Sequence, residues 1–138
     1  MAIGYLSRRA TFSAAHRLHS LSLSDAENKK LFGKCNLANG HGHNYVIEIV
    51  LRGEIGEKDG IIFNLTDLKE IIRVNVLEKV DHKNLNLDVE EFQRINPTVE
   101  NIAKVIWDWL IPHLPASMLF EVRVHETENN IAIFRGSA

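Results

Sequence analysis

The chain has one cysteine, Cys35, in 138 residues. No intrachain disulfide is available, so packing alone must hold the fold, which suits a reducing compartment. Three prolines and eight glycines leave no stretch that reads as a linker or a low-complexity tract. No apolar run approaches the ~20 residues that span a bilayer. The segment from Met1 to Arg9 lacks the apolar core of a signal peptide and reads as the start of a domain. Neither charge sign dominates: the net charge is −2, which gives no reason to expect a polyanion- or nucleic-acid-binding protein. There is no Gly-rich phosphate loop. The expectation is a single cytoplasmic domain over residues 1–138, whose 45% hydrophobic content suffices for one core.

Two period-two stretches open the chain. Ile3, Tyr5, Ala10, Phe12 and Ala14 alternate with polar neighbours up to Ala15-His16-Arg17-Leu18, and 44–52 is rich in β-branched residues. Between them, Ser24-Asp-Ala-Glu27 matches a capping box, predicting a short helix over 24–32 that Gly33 ends. Ile61-Ile62-Phe63 reads as a further piece of strand pairing. Asn64 is placed to cap a helix through Val80, with Leu65, Leu68, Ile71, Ile72 and Val76 as its stripe. Asp81 to Asn86 reads as a polar loop. Pro97-Thr98 opens a second helix with Val99, Ile102, Ala103, Ile106 and Leu110 on one face, closed by Pro112 and Pro115. Leu119 to Glu126 alternates as a strand, 128–130 turns, and 131–134 is a last strand. The order is ββααββ: an α+β fold with a four-stranded antiparallel sheet and two helices on one face. Such a sheet has two edges to hide.

The richest stretch for chemistry is Cys35-Asn-Leu-Ala-Asn-Gly-His41-Gly-His43. On a strand, His41 and His43 point to one face. Gly42 between them lets the backbone lie close to whatever they hold, and Asn39-Gly40 lets the chain turn. If the first two strands pair as a long hairpin, His16 joins them, and three imidazoles with an open position suit catalytic zinc. The bland alternative is a polar turn plus a surface histidine. Cys35 has four readings: a fourth ligand, a nucleophile, a base, or a buried apolar residue. Asp81-His82 is either a general acid/base unit, its two side chains diverging on extended backbone, or a helix end favoured by the dipole. Glu126 shares a face with Val122 and Val124, which is anomalous for a carboxylate unless it is paired or holds a donor-rich ligand. Glu121, Arg123 and His125 occupy the other face and read as solvated or intersubunit surface. Arg17, Lys29, Lys30 and Lys34 are a charge run that a phosphorylated substrate would put to use. Arg8-Arg9-Ala10-Thr11 is a weak match to a basic-directed kinase site. Trp107 and Trp109 read as helix core and rim.

Taken together, these segments resemble 6-pyruvoyl tetrahydropterin synthase. The resemblance rests on Phe12-Ser-Ala-Ala-His16-Arg-Leu-His, Leu31-Phe-Gly-Lys-Cys35, Asn39-Gly-His41-Gly-His43-Asn-Tyr, Asn64-Leu-Thr-Asp-Leu-Lys69, Leu77 to Asn84 and Glu126-Thr-Glu-Asn-Asn130. It implies the tunnelling fold, with three subunits closing a twelve-stranded barrel and two trimers stacking into a homohexamer with active sites at subunit interfaces. It implies a lyase that converts 7,8-dihydroneopterin triphosphate to 6-pyruvoyl tetrahydropterin in tetrahydrobiopterin biosynthesis, with loss of triphosphate. By position it makes His16, His41 and His43 the ligands of one Zn2+ per subunit and Cys35 the proton-abstracting base. Asp81 and His82 would activate that base, and Glu126 would anchor the pterin and take part in the charge relay. Mg2+ would accompany the triphosphate.

One departure and two rivals belong with that resemblance. Relatives often carry two threonines after the loop; here Thr98 is followed by Val99, so Thr98 can still bond the pterin and Val99 cannot. The nearest rival, 6-carboxy-tetrahydropterin synthase, usually places its cysteine four residues before His-Gly-His, whereas Cys35 and His41 are six apart. The other rival is a non-catalytic zinc- or pterin-binding module, which would have no use for Cys35, Asp81 and His82.

Overall fold

A computed structural model describes residues 1–137. β1 (Ile3–His16) and β2 (His41–Glu54) form a long antiparallel hairpin, in register from Ile3 opposite Glu54 to His16 opposite His41. β4 (Leu119–His125) pairs with β2, and β5 (Ile131–Phe134) pairs with β4, both antiparallel. The expected four strands are one short. Among the described residues the sheet has five, in the order β3-β1-β2-β4-β5. β3 (Lys83–Asn84) lies parallel along Ala14 and Ala15 of β1, within the stretch read as a free polar loop. Two residues are too few to carry a periodic signal, so this strand exists only through its pairing.

The inward face of the sheet is set by alternation. Tyr45, Ile47, Ile49 and Leu51 of β2 are fully buried, with Phe12 and Ala14 of β1 beside them. Each large apolar side chain taken out of water contributes roughly 1.5–3 kcal/mol. Ile3 and Tyr5 depart from the expected pattern: they fall on the odd-numbered face and are exposed. Phe12 and Tyr45 stack with centroids 4.9 Å apart, directly above the end of the sheet that carries the histidines.

The helices that follow β2 pack against the sheet, whereas the helix between β1 and β2 contacts mainly the turn after it. α1 (Asp25–Phe32) begins with the full capping box: Glu27 N–H donates to the Ser24 hydroxyl and Ser24 N–H donates to the Glu27 carboxylate. α2 (Leu65–Ile72) is capped by Asn64, runs into a π-helical turn over Arg73–Leu77 and ends in α3 (Glu78–Val80). Leu68, Ile72, Val76 and Val80 are all buried. Four-residue spacing drifts by about 40° per step around a regular α-helix, and the wider π turn offsets that drift, so the stripe stays on the core. Leu65, expected on the stripe, is exposed. α4 (Leu85–Asp88) and a 3₁₀ turn at Glu90–Gln93 fill the stretch before α5 (Val99–Leu110). Trp109 is buried and donates its indole N–H to Glu91, while Trp107 is half-buried against Phe134.

Ile61-Ile62-Phe63 forms no strand. Its backbone instead closes a turn, with Gly56 N–H donating to the Ile61 carbonyl at 3.0 Å. Glu121 keeps the face expected for it, with Arg123 and His125, but is buried there. The β2–β4 register slips between Val50 and Leu51, so Leu119 and Glu121 pair with neighbouring residues and Phe120 is passed over. That bulge interrupts the alternation at Phe120 and leaves Glu121 opposite Val50 on the outward face, where it is only 2% exposed because Arg123 and Arg135 hold and cover it. Among the described residues no helix is long and apolar enough to cross a membrane.

Candidate metal centre

The hairpin register builds the centre. His16 and His41 are directly opposed, and His43 lies two residues along β2 on the same face, opposite Ala14. Residues of one parity share a face, so all three rings project to the inward side, at the end of the apolar core. One nitrogen from each lies within 4.8 Å of the others. The ε-nitrogens of His16 and His41 are 3.1 Å apart.

His16 is fully buried. Its Nδ1 lies 2.8 Å from the Pro97 carbonyl, to which it donates, so the Nε2 lone pair faces the cluster. Burial pulls its pKa from 6.5 down to about 4, helped by His41 and His43 and opposed by the Pro97 hydrogen bond. Burial also lowers that of His43, against the raising effect of Glu126. Both rings are therefore neutral near pH 7, the form that binds a metal. The fit of a cation rests on one further atom. His43 Nε2 is buried and has no hydrogen-bond partner among the described residues, a state that costs about 1–3 kcal/mol when uncompensated. A cation held by the three rings would satisfy it.

Gly40 shapes the approach to this pair. Its φ is +72°, and a Cβ there would come within 2.8 Å of the His16 carbonyl oxygen. Gly42 is different from expectation. It lies on the outward face, and a Cβ would make only an ordinary contact with the Ala14 carbonyl at 3.5 Å, so the cluster does not require its lack of a side chain.

Around the three rings stand groups the sequence reading named and one it passed over. Glu126 follows the end of β4, with Oε2 3.8 Å from His16 Nε2, and its N–H donates to the Asn130 carbonyl across the β4–β5 turn. The passed-over residue is Tyr45. Its hydroxyl is buried 3.3 Å from His16 Nδ1, and burial, with Glu126 and Cys35 nearby, pushes its pKa upward, so the phenol stays neutral. Nothing in the sequence set it apart from the other apolar residues of β2.

Cys35 sits in a 3₁₀ turn over Gly33–Asn36 after α1 and is half-buried. The turn is tied to the continuation of β1: Leu18 N–H donates to the Cys35 carbonyl at 2.8 Å, and the Asn36 side chain donates to the Leu18 carbonyl at 2.7 Å. Cys35 does not join the three histidines as a fourth close ligand. Asp81 and His82 lie at the free edge of β1. Asp81 accepts the Ser13 N–H at 3.0 Å and His82 N–H donates to the Ser13 carbonyl at 2.6 Å. The pair was expected to diverge. Instead His82 has φ +61°, which folds its Nδ1 back to 3.0 Å from Asp81. The Ser13 hydrogen bond, more than His82, holds the Asp81 carboxyl below its usual range, against a raising effect of burial. Thr98 is the N-cap of α5, where its hydroxyl accepts the Asn101 N–H and keeps its own proton to donate. Val99 packs at the edge of the core, which accounts for an apolar residue there.

The family model for 6-pyruvoyl tetrahydropterin synthase matches residues 5–137. The chain belongs to that family. It is 52% identical over 134 residues to the 6-pyruvoyl tetrahydrobiopterin synthase of Poecilia reticulata, covering 97% of this chain and 91% of that protein. It is 50% identical over 131 residues to the human enzyme of the same name, covering 95% and 90%. The structure of Caenorhabditis elegans 6-pyruvoyl tetrahydropterin synthase superimposes with a TM-score of 0.96 at 47% identity, over 99% of this chain and 98% of that one. Within this family the histidine trio of the present chain is a site that can hold a metal ion.

Proposed function

We propose that this chain is a zinc-dependent 6-pyruvoyl tetrahydropterin synthase, a lyase that converts 7,8-dihydroneopterin triphosphate to 6-pyruvoyl tetrahydropterin with loss of triphosphate, for tetrahydrobiopterin biosynthesis. The observation that carries the reading is the convergence of His16, His41 and His43, with the unpartnered Nε2 of His43, in a chain matching that family over 5–137. Three imidazoles and an open position suit zinc. Bound there, zinc would supply a Lewis acid that stabilises negative charge on a substrate oxygen.

The chain's own groups take the remaining roles. Glu126 accepts paired hydrogen bonds from the amine and ring N–H of the pterin, and Thr98 adds one from its hydroxyl. Cys35 removes a carbon-bound proton, and His82, oriented by Asp81 at 3.0 Å, receives and returns protons. Within one chain Cys35 belongs to the turn after α1, while Asp81 and His82 sit at the free edge of β1. Supplying the two halves from neighbouring subunits of a trimer reconciles that separation. Such a trimer would close a twelve-stranded barrel from the four longer strands of each chain, and stacked trimers would make a hexamer. Mg2+ would accompany the triphosphate, and the protein would work in the cytoplasm.

Incubating the zinc-loaded protein with 7,8-dihydroneopterin triphosphate tests the reading. Triphosphate and 6-pyruvoyl tetrahydropterin are expected. Acetaldehyde and a carboxy-pterin as main products would instead make the protein a 6-carboxy-tetrahydropterin synthase. Pterin binding without turnover would make it a binding module.

A further inference from the structure

A cavity of about 580 Å³ opens beside the metal centre, between residues 17–22, the Asn39-Gly40 turn and residues 84–97. Its size falls in the range of small-molecule sites. It touches the centre twice. Gly40 leads directly into His41, and Pro97, whose carbonyl holds the His16 ring, forms part of its wall.

The charge of its lining is one-sided. Arg17, His19 and Arg94 contribute to it, and no Asp or Glu does. Arg17 uses Nε on the Asn36 carbonyl at 2.9 Å, which fixes the side chain and leaves the two terminal nitrogens of its fork to donate elsewhere. His19 has a defined tautomer. The Asn36 side-chain amide lies 3.0 Å from its Nδ1 while also donating to the Leu18 carbonyl, so Nδ1 accepts and Nε2 carries the proton. Arg94 is exposed. The walls are braced independently of any ligand. Asn86 bonds both the N–H and the carbonyl of Arg17, and Asn96 accepts the His19 N–H at 3.0 Å. Fixed donors without a neighbouring carboxylate suit a multiply charged anion, because guanidinium forks bind phosphate oxygens in pairs.

We infer that this cavity is the subsite for the triphosphate tail of the substrate, with Arg17, His19 and Arg94 as its donors. The inference rests on the function proposed above. The net charge of −2 says nothing of this local concentration, and the cavity assembles from three separate segments of the chain.

The probe is inorganic tripolyphosphate, titrated calorimetrically into the zinc-loaded protein. Arg94→Gln and His19→Gln are the test variants, and Lys58→Gln, beyond the opposite end of the hairpin, is the charge control. Tripolyphosphate is expected to bind the wild type, to compete with the substrate, and to bind each test variant about 10- to 100-fold more weakly, the loss typical of one charge-assisted hydrogen bond. In turnover, each variant should raise KM for dihydroneopterin triphosphate by a similar factor and change kcat little. Lys58→Gln should match the wild type. Equal tripolyphosphate affinity in wild type and test variants overturns the inference. So does binding that does not compete with substrate, which would mark a site for free polyphosphate only. If the wild type binds tripolyphosphate through Arg94 but does not turn over dihydroneopterin triphosphate, the anion site stands and the proposed function fails.

Discussion

His16 and His41 are a directly opposed cross-strand pair at the last rung of the β1–β2 hairpin, and their ε-nitrogens stand 3.1 Å apart. With the Nδ1 proton of His16 committed to Pro97, the pair is arranged for an acceptor of two lone pairs.

Removing one ring should therefore separate metal affinity from stability. His43→Ala is expected to lower zinc affinity by more than the roughly 10–100-fold that follows loss of an outer-shell contact. The metal-free variant should be at least as stable as metal-free wild type, because the substitution also deletes an unsatisfied buried nitrogen. Zinc titration and urea unfolding with and without chelator check this. In the zinc-loaded wild type, X-ray absorption should find three nitrogens at about 2.0–2.1 Å. A large drop in metal-free stability would count against the orphaned-nitrogen argument.

Acid should weaken the metal-free protein in a defined window. His16 has a native pKa of about 4 against 6.5 for the free side chain. Below pH 6.5 the unfolded chain takes up this proton and the native one does not. Stability from the neutral ring is thus complete above pH 6.5 and falls as pH drops toward 4, by about 3 kcal/mol in all. Urea midpoints at pH 7.5, 6 and 5 should decline in that order, and His16→Gln should flatten the trend.

Cys35→Ala should reduce kcat by about 10²–10⁴-fold, the usual worth of a general base, and leave zinc content and pterin binding intact. Loss of zinc in that variant would make Cys35 a ligand, against its position outside the three-ring group.

Asp81 carries two bonds, one to Ser13 and one to His82, and the two can be told apart. Asp81→Asn and His82→Ala should both cut turnover. The Asp81 change is expected to weaken the Ser13 contact and cost about 1–3 kcal/mol, with faster amide exchange at Ser13. His82→Ala should leave that amide protected.

The two glycines flanking His41 should respond differently. Gly40→Ala puts a side chain at φ +72° and against the His16 carbonyl, and should both destabilise the fold by well over the ~1 kcal/mol of a tolerated change and displace His41 from the metal. Gly42→Ala should bind zinc normally. Circular dichroism melts and zinc titration together decide the pair.

Much of this was legible in the sequence where a single element carries its own signal. The Ser24 box, the Asn64 and Thr98 caps and the hairpin strands all announce themselves within a few residues, and His-Gly-His on a strand fixes which way two imidazoles point. What stayed hidden depends on contacts across the fold. Pro97, 81 residues from His16, holds its ring with a backbone carbonyl, which no side-chain pattern reports. Tyr45 reads as one more core aromatic until its hydroxyl is placed. Alternation along β4 gives the face of Glu121 correctly but not its burial, which depends on Arg135, 14 residues away at the end of the neighbouring strand, closing over it together with Arg123. The π turn after Ile72 shows only as a four-residue spacing that an ordinary helix would not keep aligned.

β3 has a consequence for assembly. Lys83 and Asn84 lie along Ala14 and Ala15, and Asp81 and His82 occupy the outward backbone groups of Ser13. The open rim of β1 therefore ends just before Ser13. A strand arriving from a neighbouring chain can zip along β1 from the Ile3 end but meets a doorstop at that point. In an assembly that pairs strands along β1, the same four residues that carry the Asp81–His82 pair would set how far an incoming strand can travel, and so which of its residues comes to lie beside that pair.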